Sequence, residues 1–179
     1  MNILAEIHRS EGVNIHGRTI HRHAVRAVIL RGHELLMIYS AKVGDYKFPG
    51  GGVDKNESHE QALVREVKEE CGMSLRQVGD EICRVVEYDL PMEPEYDVFK
   101  MASYYYDCEV HDGFGSQKLD DYELNLGFEP VWIDLDQALQ LNKILLNIPH
   151  PPKWLDREVL VLEYLKQKYP HASELASSK

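Results

Sequence analysis

Residues 51–73 read Gly51-Gly52-Val53-Asp54-Lys55-Asn56-Glu57, then seven further residues, then Arg65-Glu66-Val67-Lys68-Glu69-Glu70-Cys71-Gly72-Met73. The stretch joins a glycine-rich turn to a segment in which three glutamates and an arginine are close together. Ser58 and Gln61 have the spacing of an N-terminal capping box, and Gly72 suits the left-handed residue that ends many helices. We therefore predict a helix from about His59 to Cys71.

The glutamates of this helix share one face. Residues three and four apart are neighbours on a helix, so Glu66, Glu69 and Glu70 lie together. An adjacent apolar stripe is expected to face the core, and it consists of Leu63, Val64, Val67 and Cys71. The small Ala62 is expected to leave space beside the acidic face.

Clustered carboxylates repel one another unless a cation lies between them. Hard divalent cations such as Mg²⁺ bind carboxylates together with substrate phosphates. Three glycines at 50–52 let the backbone approach a metal or a phosphate closely. Taken separately, the glutamates also fit a solvated acidic face and the glycines a simple turn. Their joint spacing favours a metal and phosphate site.

The joint spacing resembles that of a known family. The pattern G-x5-E-x7-R-E-U-x-E-E-x-G-U, in which U is a bulky aliphatic residue, is the Nudix box, and residues 51–73 fill each of its fixed positions. Phe48-Pro49-Gly50 before it is similar to the lead-in of many members. The resemblance implies the Nudix fold, an α+β structure in which helices sandwich a mixed β-sheet (α/β/α).

The resemblance also implies chemistry. Nudix hydrolases use Mg²⁺ or Mn²⁺ to cleave a diphosphate linked to another moiety, usually a nucleoside. By position, Glu66, Glu69 and Glu70 would face the metal, with the Gly50 carbonyl as an additional ligand. Arg65 and Glu57 would pair with each other and organise the loop and helix.

The general base that accepts the proton of the attacking water is a separate question. Glu66 is one candidate, and members of the family differ on this point. A distant loop can also supply the base. The polar segment 111–127 and the residues after it supply the candidates Asp120, Asp121, Glu123 and Glu129. Among these we choose Glu123, so that the catalytic set becomes Glu66, Glu70 and Glu123.

Composition sets limits on partners and location. The 179 residues carry a formal net charge of -10, with 44% hydrophobic residues. Long nucleic acid and anionic membrane surfaces favour basic partners, so neither is expected. Three cysteines with no close spacing indicate reduced thiols. Residues 1–10 have no apolar signal region, and no run is long enough to span a membrane. We expect a cytoplasmic protein, and a homodimer is compatible with the sequence.

The remaining chain reads as one domain, residues 1–179, with an N-terminal extension (1–20) and a disordered tail (172–179). Strands are predicted at 24–30, 35–39, 82–88, 98–108 and 131–133, with a short extended piece at 46–48. Further helices are predicted from Asp134 to about Lys143 and from Lys153 to Tyr169. The polar segment 111–127 reads as a long loop, which in compact domains is often functional.

The substrate is not determined by these residues. A nucleoside triphosphate, oxidised or not, and a nucleoside diphosphate derivative both fit a small nucleotide-type substrate. A Nudix-fold binding or regulatory module without hydrolysis is an alternative. Cleavage of RNA ends is a third hypothesis, against which the acidic charge weighs. Candidates for stacking on a base are Tyr39, Tyr46, Phe48 and Tyr104–Tyr106. A second metal site at His21 and His23 is disfavoured because no further ligands accompany them.

Overall fold

The computed structural model describes residues 3–170 of the chain. The tail predicted at 172–179 lies outside the described residues. The strands are β1 Ile3–His8, β2 Thr19–Val28, β3 Leu30–Arg31, β4 Glu34–Ser40, β5 Asp45–Lys47, β6 Leu75–Asp89, β7 Val98–Val110 and β8 Phe128–Asp134. The helices are α1 His59–Cys71, α2 Asp121–Leu126, α3 Leu135–Leu146 and α4 Leu155–Lys168.

The strands form two sheets. In the first, the order is β1-β6-β7-β2. Strands β6 and β7 are antiparallel, whereas β1 pairs parallel with β6 and β2 pairs parallel with β7. In the second sheet, β4 pairs antiparallel with β3, β5 and β8. The predicted α+β class with a mixed sheet is confirmed.

Helices cover both faces of β4. Leu36 and Ile38 belong to a core cluster that includes Leu63 of α1. Leu35 and Met37 belong to a second cluster that includes Leu139 of α3 and Leu162 of α4. Because successive side chains of a strand point to opposite faces, the strand carries one helix layer on each side. This arrangement is the predicted α/β/α sandwich.

Two segments contain structure that the sequence pattern did not predict. Within residues 1–20, β1 lies beside β6, with Glu6 opposite Val86. Within the predicted loop 111–127, α2 runs from Asp121 to Leu126. Its N-cap Asp120 and Glu123 form a capping box, and Gly127 ends it at a φ of 67°. Both elements are only six residues long, and neither ILAEIH in β1 nor DYELNL in α2 shows a clear hydrophobic period.

The packing stripe of α1 differs from the helical-wheel prediction at two positions. Val64 is 46% exposed, whereas Leu63, Val67 and Cys71 are buried. Ala62 is also fully buried and packs in the core, so it does not leave space beside the glutamates. All three cysteines are buried free thiols. None of the helices within residues 3–170 combines the length and the apolar character needed to cross a membrane.

Candidate active site

The glycine turn is fixed along strand β2. Val25 N donates to Gly51 O at 2.9 Å, and Ala27 N donates to Pro49 O at 2.8 Å. Gly50 has a φ of 136°, and a Cβ there would lie 2.1 Å from Val25 O. At Gly51 a Cβ would lie 2.5 Å from Glu66 Oε1. Glycine is therefore required at both positions, because β2 touches one and the helix carboxylate touches the other.

Helix α1 places two carboxylates beneath this turn. Glu66 is 8% exposed and Glu70 is 4% exposed. The Gly50 N–H donates to Glu70 Oε2 at 2.7 Å. The predicted capping box of Ser58 and Gln61 is confirmed, and it fixes where the helix begins. The Glu70 carboxylate is thus held by the backbone of the glycine turn.

Arg65 connects the helix to the turn. Its Nε and Nη2 donate to the two carboxylate oxygens of Glu57, each at 2.9 Å. Nη2 also donates to Gly52 O at 2.9 Å, and Nη1 donates to Glu66 Oε1 at 2.6 Å. These contacts are the pairing that the family resemblance implied for Arg65 and Glu57. The Arg65 guanidinium holds the pKa of Glu57 below its usual range.

Helix α2 contributes a third carboxylate, that of Glu123. Gln117 Nε2 donates to Glu70 O at 2.6 Å and to Phe128 O at 3.0 Å, and Lys118 N donates to Glu69 O at 2.8 Å. These bonds attach the segment before α2 to the end of α1. Because Asp120 then caps α2, Glu123 in its first turn is held near the glutamates of α1.

Glu66, Glu70 and Glu123 form one group, in which one carboxylate oxygen from each lies within 4.8 Å of the others. Burial raises the pKa of all three, in the case of Glu70 to about 8. Three carboxylates in one poorly hydrated place need a countercharge, and oxygen-only donors at this spacing suit Mg²⁺ or Mn²⁺. The donor set therefore fits a hard divalent cation.

Two of the predicted metal-facing groups are placed differently. Glu69 is not part of the carboxylate group found among the described residues; its Oε2 lies 3.4 Å from Arg65 Nη1. The Gly50 carbonyl accepts a hydrogen bond from Arg26 Nη1. Residue spacing could not separate Glu69 from Glu70, because both occupy the same broad helix face until Glu123 shows where the cleft lies.

The carboxylate group opens into a cleft of about 270 Å³. The same cleft is lined by the cationic side chains of Arg22, Arg26, Lys47 and Arg157. The aromatic side chains of the lining are Phe48, Tyr122, Phe128 and Trp154. A cleft lined by acids, cations and aromatic rings matches a ligand that combines phosphates with a planar group.

The comparison with protein families agrees with this geometry. The NUDIX domain matches residues 20–156, which is most of the chain. The chain belongs to the Nudix family. An RNA pyrophosphohydrolase of Campylobacter jejuni is 31% identical to this Nudix chain over 135 residues, covering 73% of the chain and 82% of the relative. One from Nitratiruptor is 46% identical over a shorter stretch of 46 residues, which covers 26% of this chain and 30% of that relative.

Solved structures show the same fold. A MutT Nudix hydrolase from Burkholderia pseudomallei aligns with a TM-score of 0.53 at 24% identity, covering 80% of this chain and 98% of that one. A Nudix hydrolase from Nitrosomonas europaea aligns with a TM-score of 0.54 at 19% identity, covering 83% and 91%. With the family match and the named relatives, this protein is a Nudix pyrophosphohydrolase.

The Nudix cleft uses few of the aromatic residues proposed for base stacking. Phe48 lines the cleft but is 1% exposed. Tyr39 and Tyr46 pair with each other at a ring distance of 5.2 Å, outside the lining. Tyr104–Tyr106 lie along β7 and do not line the cleft either. The other rings that line the cleft were not predicted, because they come from distant segments and no motif marks them: Tyr122, Phe128 and Trp154.

Of the remaining acids and histidines considered as catalytic or metal-binding candidates, only Asp120 lines the cleft. Asp121 and Glu129 are exposed and do not line the Nudix cleft, whereas Asp120 does. His23 Nδ1 lies 3.0 Å from Tyr104 Oη, and neither His21 nor His23 joins a potential metal-ligand group among residues 3–170. Arg26 and Lys47, two cationic residues that line the cleft, were not predicted from the sequence. Their signal was only their position, on β2 and just before the Phe48-Pro49 pair.

Proposed function

We propose that this Nudix pyrophosphohydrolase uses Mg²⁺ or Mn²⁺ to cleave the diphosphate linkage of a nucleoside diphosphate joined to another moiety. The observation that supports the proposal is the group formed by Glu66, Glu70 and Glu123 in a cleft that cationic and aromatic side chains also line. Divalent cations with carboxylate ligands commonly bind substrate phosphates, and the cationic side chains suit the remaining negative charge.

The residues of the cleft would have three different roles in hydrolysis. Glu66 and Glu70 would hold the cation, which would polarise the diphosphate and lower the pKa of a bound water. Glu123 would accept the proton of the attacking water, since its carboxylate adjoins the other two from a separate helix. Arg65 would fix the direction of Glu66, to which it donates at 2.6 Å. The Gly50 carbonyl would become a ligand only if Arg26 released it.

A second candidate substrate is the 5′ diphosphate of an RNA chain. The observation that favours it is the 31% identity to relatives named RNA pyrophosphohydrolase over most of their length. The exposed Arg22 at the cleft lining could meet the first phosphodiester of such a chain. The net charge of -10 favours a short single-stranded end over a long duplex.

A substrate screen with Mg²⁺ tests both candidates. Nucleoside triphosphates, sugar nucleotides, dinucleoside polyphosphates and a 5′-triphosphorylated oligoribonucleotide would be assayed for released phosphate and diphosphate. We expect turnover of at least one class, and its loss in EDTA. Turnover of the oligonucleotide alone would assign the RNA end. If the protein binds these ligands but turns over none of them, the binding-module alternative replaces hydrolysis.

Mg²⁺ should stabilise the protein more at alkaline than at mildly acidic pH. Burial raises the pKa of Glu70 from the ordinary 4.5 to about 8. Without metal, the unfolded chain ionises near pH 4.5 while the folded chain keeps the proton until about pH 8, so stability falls with rising pH across this window. Mg²⁺ binds the ionised carboxylate and reverses that loss. Thermal melts with and without Mg²⁺ at about pH 6.5 and 8.5 measure the difference.

Glu70→Gln is the control for that experiment, because it removes the titrating group. The Mg²⁺-induced rise in Tm should shrink and its pH dependence should weaken, because Glu66 and Glu123 remain as the titrating carboxylates with raised pKa values. A wild-type melting curve that Mg²⁺ leaves unmoved at both pH values would mean that the carboxylates do not bind the metal.

Glu123→Gln should lower kcat by roughly 10²-fold, the usual contribution of a general base. Glutamine can still accept the hydrogen bond from Asp120 N, which Glu123 Oε2 accepts at 2.8 Å, so α2 should keep its cap. Steady-state kinetics with a substrate from the screen measure the loss. Asp121→Asn is the matched control, since Asp121 is exposed on the same helix and should keep its activity. Equal activity of the two variants would remove Glu123 from the mechanism.

A further inference from the structure

Lys47 presents a cation that no carboxylate of the described residues pairs with. Its Nζ lies 3.8 Å from the centroid of the Phe128 ring and 4.8 Å from that of Trp154. The side chain is half-buried and lines the cleft. Trp154 is itself held, because its Nε1 donates to the buried Asp45 at 2.6 Å. The two rings thus contact the ammonium group through their faces, and a ring face takes up none of its three N–H donors as a hydrogen-bonding oxygen would.

Arg26 supplies a second unsatisfied donor in the same cleft. Its Nη1 donates to Gly50 O, but its Nε is buried and has no hydrogen-bond partner among residues 3–170. Burying an unpaired donor on a charged group costs free energy that a bound acceptor recovers. Desolvation lowers the pKa of Lys47, and the Arg26 charge adds to this shift. Three carboxylates oppose this shift of the Lys47 pKa, those of Asp45, Glu158 and Glu70. The two cations therefore lie close enough in the cleft to act on each other.

We propose that Lys47 and Arg26 form an anion subsite that binds a phosphate group of the substrate directly, with no metal ion between them. Both residues line the cleft that also contains Glu66, Glu70 and Glu123. One phosphate of a diphosphate would contact Lys47 and Arg26, and the other would contact the divalent cation that Glu66 and Glu70 would hold. The inference rests on the proposed function for the identity of the ligand, but direct anion binding does not require hydrolysis.

Calorimetric titration of inorganic diphosphate into the protein in EDTA tests the subsite. We expect wild type to bind without divalent metal, and Lys47→Met to bind at least about 10-fold more weakly, because a charge-assisted contact is lost. Lys47→Arg keeps the charge and should retain binding. Glu70→Gln should bind diphosphate at least as tightly as wild type, since it removes negative charge from the cleft.

Lys100→Met is the matched control. Lys100 is also half-buried and also lies against a ring, with its Nζ 5.4 Å from the Tyr88 centroid, but it does not line the cleft. It should bind diphosphate as wild type does. Absence of binding to wild type in EDTA, or equal binding by Lys47→Met and wild type, would overturn the subsite. Neither result depends on whether the substrate screen finds turnover, so the two proposals fail separately.

Discussion

Glu70→Gln is expected to lower kcat/KM by roughly 10²- to 10³-fold, the range found when one electrostatic stabiliser is removed from an active site. Glu70 is 4% exposed and belongs to the group of three carboxylates. Glutamine has nearly the same shape, and its amide oxygen can still accept the Gly50 N–H, which donates to Glu70 at 2.7 Å. The fold should therefore survive while one negative charge is lost from the proposed metal site.

Glu69→Gln is the matched control for this loss. Glu69 is one residue away on the same helix, but its side chain is 33% exposed and its carboxylate faces Arg65. We expect less than about a 10-fold loss of kcat/KM, because a partly exposed pair contributes little. If Glu69→Gln loses as much activity as Glu70→Gln, the sequence prediction that included Glu69 among the metal-facing residues would be the better description.

Arg157→Met is expected to lower the free energy of unfolding by about 3–5 kcal/mol, the cost of leaving a buried charge without its partner. Arg157 Nη1 donates to Glu87 at 2.6 Å, and Nη2 donates to Glu158 at 2.9 Å. All three side chains are at most 5% exposed. Methionine has a similar length, so it fills the volume of the arginine stem but leaves Glu158 without a cation.

The same network reaches the glycine turn. Glu158 Oε2 accepts the N–H of Phe48 at 3.0 Å, two residues before Gly50. At the other end, Arg9 donates to Glu87 through Nε at 2.9 Å and to Asp156 through Nη1 at 2.8 Å. The residues matched by the family end at 156, so Arg9, Arg157 and Glu158 lie outside that match. Loss of this network should loosen the turn as well as the fold.

The loss of unfolding free energy in Arg157→Met is measured by urea denaturation followed by circular dichroism, with the midpoint and slope of the transition fitted together. Glu163→Gln is the control on the same helix. It removes an ion pair with Lys143 in which both side chains are nearly half exposed, at 48% and 46%, and it should cost at most about 1 kcal/mol. A loss below about 1 kcal/mol for Arg157→Met would show that the buried network contributes no more than a surface pair.

The sequence predicted α1 well because all of its signals are local. Ser58, Gln61 and Gly72 define its ends through bonds to neighbouring residues. The pairing of Arg65 with Glu57 spans only eight residues, and family spacing implied it. Local hydrogen bonds depend on sequence separation, and sequence separation is what a motif records.

The elements that the sequence missed depend on distant partners. Strand β1 is stabilised by pairing with β6, about eighty residues away. Helix α2 is six residues long, and its place is fixed by Gln117, which bonds to the carbonyls of both Glu70 and Phe128. Neither six-residue element shows a strong hydrophobic period. Their structure follows from contacts that a window of neighbouring residues does not contain.

The sequence by itself therefore determined the Nudix box, the helix that carries its glutamates, the sandwich of helices around a mixed sheet and the hydrolase family. Tertiary structure decided which glutamates meet: Glu66 and Glu70 join Glu123 from another helix, while Glu69 turns to Arg65. It also placed Lys47 between Phe128 and Trp154. The physical reason is that a helix face fixes the direction of side chains, whereas a cleft exists only where distant segments pack together.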